Sequence, residues 1–401
     1  MASKEHDSIP LNTSTSFTNA SGPLILRIST NQTAAHTPPP QQTNTPADAQ
    51  PSSTTPGLPP PTHPPRPFIP LISAPLSHFE HFAQAEHSQW LIDVAHDICD
   101  PAHRSGTLRR LESPSYADCT RGPSQTWAPV RPAEPLRAAL YEYVCGRPLT
   151  LSQISRREGK SKSSRGGYAE AMRRGVLRRD GYQCWLSREH DDDAGRFVSS
   201  HIIPKRMGGD VSAVLLARFS RPGEALIPPT GIYDPMYGIT LTRQLDCFFA
   251  DYTMGLRRID DASTQSEPSW RVFTISLERL MAGPLLQTHV HGRLITPPNL
   301  HSDTQADIPR PPPAAFRWHY LQCVLRRFAT PEYIAIANIH HHEMALRMEG
   351  DSDDEDEVDS NDDLWPSAVI DYGAYEAERE RGYRETTESV GRWVESIPGA
   401  V

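Results

Sequence analysis

The first 75 residues are drawn largely from Ser, Thr, Pro and Gln and carry the runs Pro38-Pro39-Pro40 and Pro59-Pro60-Pro61, which restricts where a packed core can lie. A stretch with so few large apolar side chains cannot bury enough surface to offset the entropy lost on ordering. Residues 1–75 are therefore expected to form a disordered tail, with order beginning near Leu76. A second boundary falls at Asp351 to Asp363, where nine acids and no Lys or Arg account for the whole formal net charge of −9. Residues 346–401 read as an acidic, mostly disordered tail. With 39 prolines, 37% hydrophobic content and a mean hydropathy of −0.53, the 401-residue chain is expected to hold one modest domain with long flanks rather than two.

The six cysteines are widely spaced and form no C-x-x-C pair, which argues against a zinc knuckle or a disulfide framework and for a reducing, intracellular compartment. Nucleus and cytoplasm both stay open. No apolar leader and no bilayer-length apolar run is present, so no membrane partner is expected.

Between the two tails, Phe79, Phe82, Trp90, Leu91, Val94 and Ile98 recur at helical spacing, and a short helix is expected over 135–145. Residues 76–165 thus read as a helical flank ending in the basic, Gly/Ser-containing linker 159–167. Arg156, Arg157, Lys160, Lys162, Arg165, Arg173, Arg174, Arg178 and Arg179 make this stretch locally basic, and such a surface attracts phosphates even on a neutral protein. A helix over 168–180 should lead into a turn and a short strand near Cys184, with 197–203 returning to close a hairpin and 240–251 forming a helix beneath it. Farther on, 270–276 alternates like a strand with 292–295 as a partner, and 314–328 carries a buried helical stripe. His340-His341-His342-Glu343 is read as surface sequence, because consecutive helical residues point about 100° apart and cannot all face one ion.

The most distinctive run is Ser199-Ser200-His201-Ile202-Ile203-Pro204-Lys205-Arg206-Met207-Gly208-Gly209-Asp210, which places a histidine before an apolar pair, a proline and a basic turn. With Arg179-Asp180-Gly181, Cys184 and Tyr237-Gly238-Ile239 in order around it, the segment from Val176 to about Arg257 resembles the HNH endonuclease superfamily, in the version found in fungal HNH-domain proteins. The resemblance extends to His291-Gly292-Arg293 and to the segment from Phe316 to Leu325. It implies an α+β fold: a nuclease-like domain over residues 166–345, made of a ββα-metal (His-Me finger) core of hairpin and helix with a C-terminal helical extension, wrapped by flanking helices, with disordered ends. It further implies metal-dependent hydrolysis of nucleic acid phosphodiesters.

In that scheme His201 matches the general base and Asp246 the metal-ligand position usually held by histidine. An aspartate suits Mg²⁺ or Mn²⁺, which favour oxygen ligands. Arg178, Arg179, Lys205 and Arg206 would neutralise phosphates, with DNA preferred to RNA as the partner. Cys184, Tyr237 and Gly238 support the motif, and Cys184 and Cys247 are read as small core residues rather than metal ligands. Tyr237 stands where the family carries Asn, and Ser200 stands where a metal-binding acid is often found. These departures keep a second reading open, a catalytically degenerate module that binds nucleic acid or protein without cutting. A third makes the core an anchor for its tails, the acidic run docking on a basic protein partner or on the chain's own basic face.

Overall fold

The run Pro23-Leu24-Ile25-Leu26-Arg27-Ile28-Ser29 is apolar and β-prone enough to form a strand, β1 (Pro23–Ser29), with six of its seven residues buried. It pairs antiparallel with β2 (Phe68–Pro75) and parallel with β5 (Leu140–Val144). Antiparallel pairing of β5 with β3 (Thr107–Leu111), and of β3 with β4 (Trp127–Pro129), completes a five-stranded sheet in the order β2-β1-β5-β3-β4. Two expectations are corrected here. Residues 23–29 and 68–75 lie inside the stretch read as disordered, because averaging over 75 residues diluted two short apolar runs. The segment expected as a helix over 135–145 is strand β5, since Tyr141 and Tyr143 pack as sheet residues against the core.

The computed structural model describes residues 22–29, 68–111, 126–149, 151–155, 167–190, 196–224, 231–259, 269–274, 291–298 and 308–337, and over these the protein is of the α+β class. The acidic run and His340 to Glu343 lie outside the described residues.

One face of the five-stranded sheet, with Leu24, Leu26, Ile28 and Leu71, joins a continuous core with α1 (Leu76–Ala83), α2 (His87–Cys99) and α6 (Pro313–Phe328). On the other face Glu142 accepts from Arg27 Nε at 3.0 Å and from Arg109 Nη2 at 2.9 Å. The guanidinium of Arg109 lies 4.7 Å from the Trp127 ring.

Helix α6 is the structural centre. Phe316, Tyr320, Leu321, Val324, Leu325 and Phe328 are all buried, as the helical stripe predicted. The helix packs against α2, β2, α4 (Gly208–Phe219) and β8 (Met254–Ile259). Strand β8 is the edge of a second sheet, β10-β9-β8, in which β9 (Ser269–Thr274) pairs with β10 (Leu294–Ile295) much as the alternation suggested. Arg257 of β8 donates to Glu86 and, at 2.8 Å, to Asp93 of α2, tying the second sheet to the first layer. The buried indole of Trp90 donates to Tyr320 Oη at 2.6 Å, linking α2 to α6.

A third unit positions the candidate site. Helix α3 (Gly167–Arg179) runs into a turn at 180–190, then β6 (Phe197–His201), α4, β7 (Gly238–Thr242) and α5 (Arg243–Ala250). The expected hairpin between the Cys184 segment and 197–203 is not the pairing found. Strand β6 pairs antiparallel with the distant β7 instead, and the Cys184 segment is a turn holding one bridge, Gln183 to His190. The helix expected over 240–251 begins at Arg243, because Thr242 caps it by accepting from Leu245 N and the residues before it complete β7.

Tyr320→Phe removes the acceptor of the Trp90 indole while preserving ring volume. An unsatisfied buried donor costs about 1–3 kcal/mol, so the urea midpoint should fall by that equivalent with the slope unchanged. An unchanged midpoint would contradict the assignment of this bond as a link in the core.

Candidate functional site

The floor of the site is built by Arg179 and Asp180, at the end of α3. Arg179 is 0% exposed. Its Nε donates to Asp180 Oδ1 at 2.8 Å, Nη2 to Asp180 Oδ2 at 3.0 Å and to the Gly238 carbonyl at 2.7 Å, and Nη1 to the Pro235 carbonyl at 2.9 Å. Nη1 also approaches the Pro309 carbonyl at 3.4 Å. Asp180 Oδ2 in turn accepts from Thr240 N at 2.9 Å. The sequence reading of Arg179 as a phosphate ligand is therefore corrected: its donors are spent inside the protein, and it organises backbone rather than substrate.

Strand β6 ends at His201, which stands opposite Gly238 across the ladder. A Cβ at Gly238 would meet Met172 Cε, Val176 Cγ2 and Ser199 Oγ, each at 2.9 Å, so only glycine lets β7 lie this close to α3. The His201 ring lies edge-on to Tyr233, with centroids 6.3 Å apart. A backbone bond to Ile232 favours the charged imidazole, so the ring donates to the Ile232 carbonyl. Nε2 is buried and has no hydrogen-bond partner among the described residues. The donating atom is therefore Nδ1, and the lone pair sits on Nε2. Burial, helped by the nearby Lys205 ammonium and only partly opposed by the Ile232 bond, holds the pKa down at about 3. His201 is thus neutral near pH 7, the form that can accept a proton.

The remaining sequence candidates are placed unevenly. Lys205 lies in the turn Lys205–Met207, half-buried, with Nζ 5.7 Å from the centre of the Tyr233 ring. Arg178 is exposed on α3, whereas the Arg206 side chain lies outside the described residues. Cys184 is fully buried and its sulfur accepts from Ser187 N at 3.4 Å, a core thiol as expected, whereas Cys247, expected in the core with it, is exposed on α5. Tyr237 is also fully buried, its hydroxyl beside Ser212, and burial raises its pKa to about 12. Its contribution to β6 is through its carbonyl, which accepts from Ile202 N at 2.8 Å. Ser200 is buried at 1% exposure. Its place in the motif is therefore buried.

Asp246 lies half-buried in the first turn of α5, one residue beyond the buried Leu245. Helix α5 packs against both β6 and β7. Asp251 pairs with Arg326 of α6 at 3.2 Å and is committed to that contact. Among the described residues no three His, Cys, Asp or Glu side chains converge as a metal-binding group. A divalent ion held by Asp246 would have to take its remaining ligands from water and phosphate oxygens, which Mg²⁺ and Mn²⁺ tolerate.

Sequence reasoning missed Ile232 and Tyr233, which bound the histidine, and the structural use of Asp180. Only one local signal pointed to that loop. Asp234-Pro235 is a turn-initiating pair, and Asp234 does accept from Met236 N at 3.0 Å.

No protein-family model, curated protein or solved structure matches this chain.

Helix α5 is held from behind by His319 of α6, whose ring stacks on Phe249 at 3.9 Å and whose Nε2–H donates to the Phe249 carbonyl at 3.0 Å. Burial lowers the His319 pKa to about 3. The unfolded chain takes up this proton near pH 6.5, so the stabilising contribution is complete above that pH and is lost as pH falls toward 3. Relative to wild type, His319→Gln should show a flatter loss of stability between pH 7 and 5, the slopes differing by up to about 1.4 kcal/mol per pH unit. Parallel urea-melt series for the two proteins would contradict this.

Proposed function

We propose that the chain is an HNH-type nuclease-domain protein that hydrolyses phosphodiester bonds in nucleic acid, DNA in preference to RNA. The observation that carries the reading is His201, a neutral imidazole with Nδ1–H pinned to a carbonyl and the Nε2 lone pair unengaged among the described residues. The neutral form can take a proton from water attacking phosphorus, and a pKa held at about 3 makes it a weaker acceptor than an imidazole that titrates near neutral pH. Antiparallel β6 and β7, with α4 inserted between them and α5 following β7, support a ββα-metal arrangement around it.

In this reading Lys205 and the exposed Arg178 supply positive charge to the phosphates on either side of the scissile bond. Arg206 would join them from the same turn as Lys205. Asp246 would hold Mg²⁺ or Mn²⁺, which when bound offsets charge growing on the phosphate and the leaving oxygen. Arg179 and Asp180 keep β7 against α3, and Tyr233 walls the imidazole on one side.

A second reading rests on two observations of the same site. Nε2 is shielded from solvent, and one carboxylate makes a thin metal site. Both suit a descendant of a nuclease that binds nucleic acid without cutting it.

Supercoiled plasmid nicking by the full-length protein with Mg²⁺ or Mn²⁺ separates the two. Wild type should nick, EDTA should abolish nicking, and His201→Ala should lower the rate by roughly 10²- to 10⁴-fold, the usual scale of general-base catalysis, while retaining plasmid binding. Nicking by His201→Ala at the wild-type rate would overturn the catalytic assignment, and binding without nicking by wild type would establish the second reading.

A further inference from the structure

The bonds of the Arg179–Asp180 pair end on the backbone of β7, the strand paired with the one that carries the candidate base. From Arg179, Nη1 grips the Pro235 carbonyl and Nη2 grips the Gly238 carbonyl, bracketing the two residues between them. From Asp180, Oδ2 holds the amide of Thr240, two residues farther along β7. Gly238 is the residue paired with His201. On the other side, Pro235 follows a short chain of turns, with Tyr237 N donating to the Asp234 carbonyl and Asp234 N to the Gly231 carbonyl, each at 3.0 Å. Ile232, which takes the His201 ring N–H, lies inside that chain of turns.

We infer that Arg179 and Asp180 are positioning residues for His201, selecting the imidazole tautomer with its lone pair on Nε2 by fixing the carbonyl of Ile232 opposite Nδ1. The inference deepens the nuclease reading and rests on it for its catalytic consequence. Its structural content, which tautomer His201 adopts and what selects it, is independent of cleavage.

A free neutral imidazole carries its proton on either nitrogen, so an environment must choose, and the choice is made by the hydrogen bond at the other nitrogen. A carbonyl can choose only if its position is held, and turns are otherwise the mobile part of a fold. Here the loop 231–237 is clamped at its far end by a guanidinium whose planar fork reaches two carbonyls at once. A lysine, a point donor on a flexible stem, cannot reproduce that grip. The pair is also fully buried, with Arg179 at 0% and Asp180 at 3% exposure, so water does not compete for these bonds.

The test uses full-length protein carrying ¹⁵N-labelled histidine imidazoles, with the His201 signals assigned by their loss in His201→Ala. Wild type should show His201 as the Nδ1–H tautomer alone at pH 7. In Arg179→Lys, checked for folding by its thermal transition, the His201 nitrogens should move toward a mixture of tautomers. Plasmid nicking by this variant should fall 10-fold or more in kcat, with KM changed less than 3-fold. Asp180→Asn is the second variant, for the case in which Arg179→Lys does not fold. It keeps an oxygen for Thr240 N but removes the charge that orients Arg179, and the same nitrogen shifts are expected. A folded Arg179→Lys or Asp180→Asn in which His201 keeps the wild-type tautomer would overturn the positioning role. Tautomer mixing in a variant whose wild-type parent never nicks plasmid would uphold the positioning role and dismiss the nuclease reading instead.

Discussion

A buried guanidinium is tolerable only when its donors are satisfied and its charge is balanced, because an uncompensated charge in the interior costs several kcal/mol. Arg179 meets that condition through the carboxylate of the next residue and the carbonyls of Pro235, Gly238 and Pro309. Those partners are scattered over 130 residues of sequence. Satisfying one side chain therefore obliges the end of α3, the start of β7 and the approach to α6 to meet at a single point. Gly238 can lie there because it has no Cβ to strike Met172 or Val176, and the register of the β6–β7 ladder sets His201 opposite Gly238.

Around that point the remaining packing is layered on α6. It touches the five-stranded sheet through β2, the three-stranded sheet through β8, and the site unit through α4 and the stack of His319 on Phe249. A single helix shared by three sub-structures explains why one continuous core runs from Leu24 to Ala337. It also places the neutral His319 directly behind the helix that carries Asp246. The two histidines share a cause, burial that keeps the imidazole uncharged, but differ in outcome. His319 uses Nε2 to hold a carbonyl, whereas in His201 the same atom is left unengaged among the described residues.

Legibility from sequence followed the range of the interactions. Helices α3 and α6 and the β9–β10 pair were visible because their apolar spacing is local. Phe316, Tyr320, Val324 and Phe328 mark one helical face without reference to anything distant. The candidate base was legible too, since His201-Ile202-Ile203-Pro204 is a compact string. Strand pairing was not. Strand β6 could equally have folded back on the Cys184 segment, and its choice of β7 depends on Arg179 and on the missing side chain at Gly238. Arg179 itself was misread because its neighbour Arg178 is exposed, and the two look alike until the carbonyls that bury one of them are in place. Strand β1 was hidden by the polar sequence on both sides of Leu24 to Ile28, and β5 by a composition that suits helix or strand until β1 and β3 flank it.

The chemistry assigned to this site reduces to one claim, that a neutral imidazole at position 201 acts through Nε2. Chemical rescue examines it most directly. Exogenous imidazole added to His201→Gly in a plasmid-nicking assay should restore cleavage in proportion to the concentration of neutral imidazole, with little effect on the wild-type protein. Nicking by His201→Gly at the wild-type rate without imidazole would contradict the claim, as would wild-type nicking that His201→Gly loses and imidazole leaves unrestored at every concentration and pH.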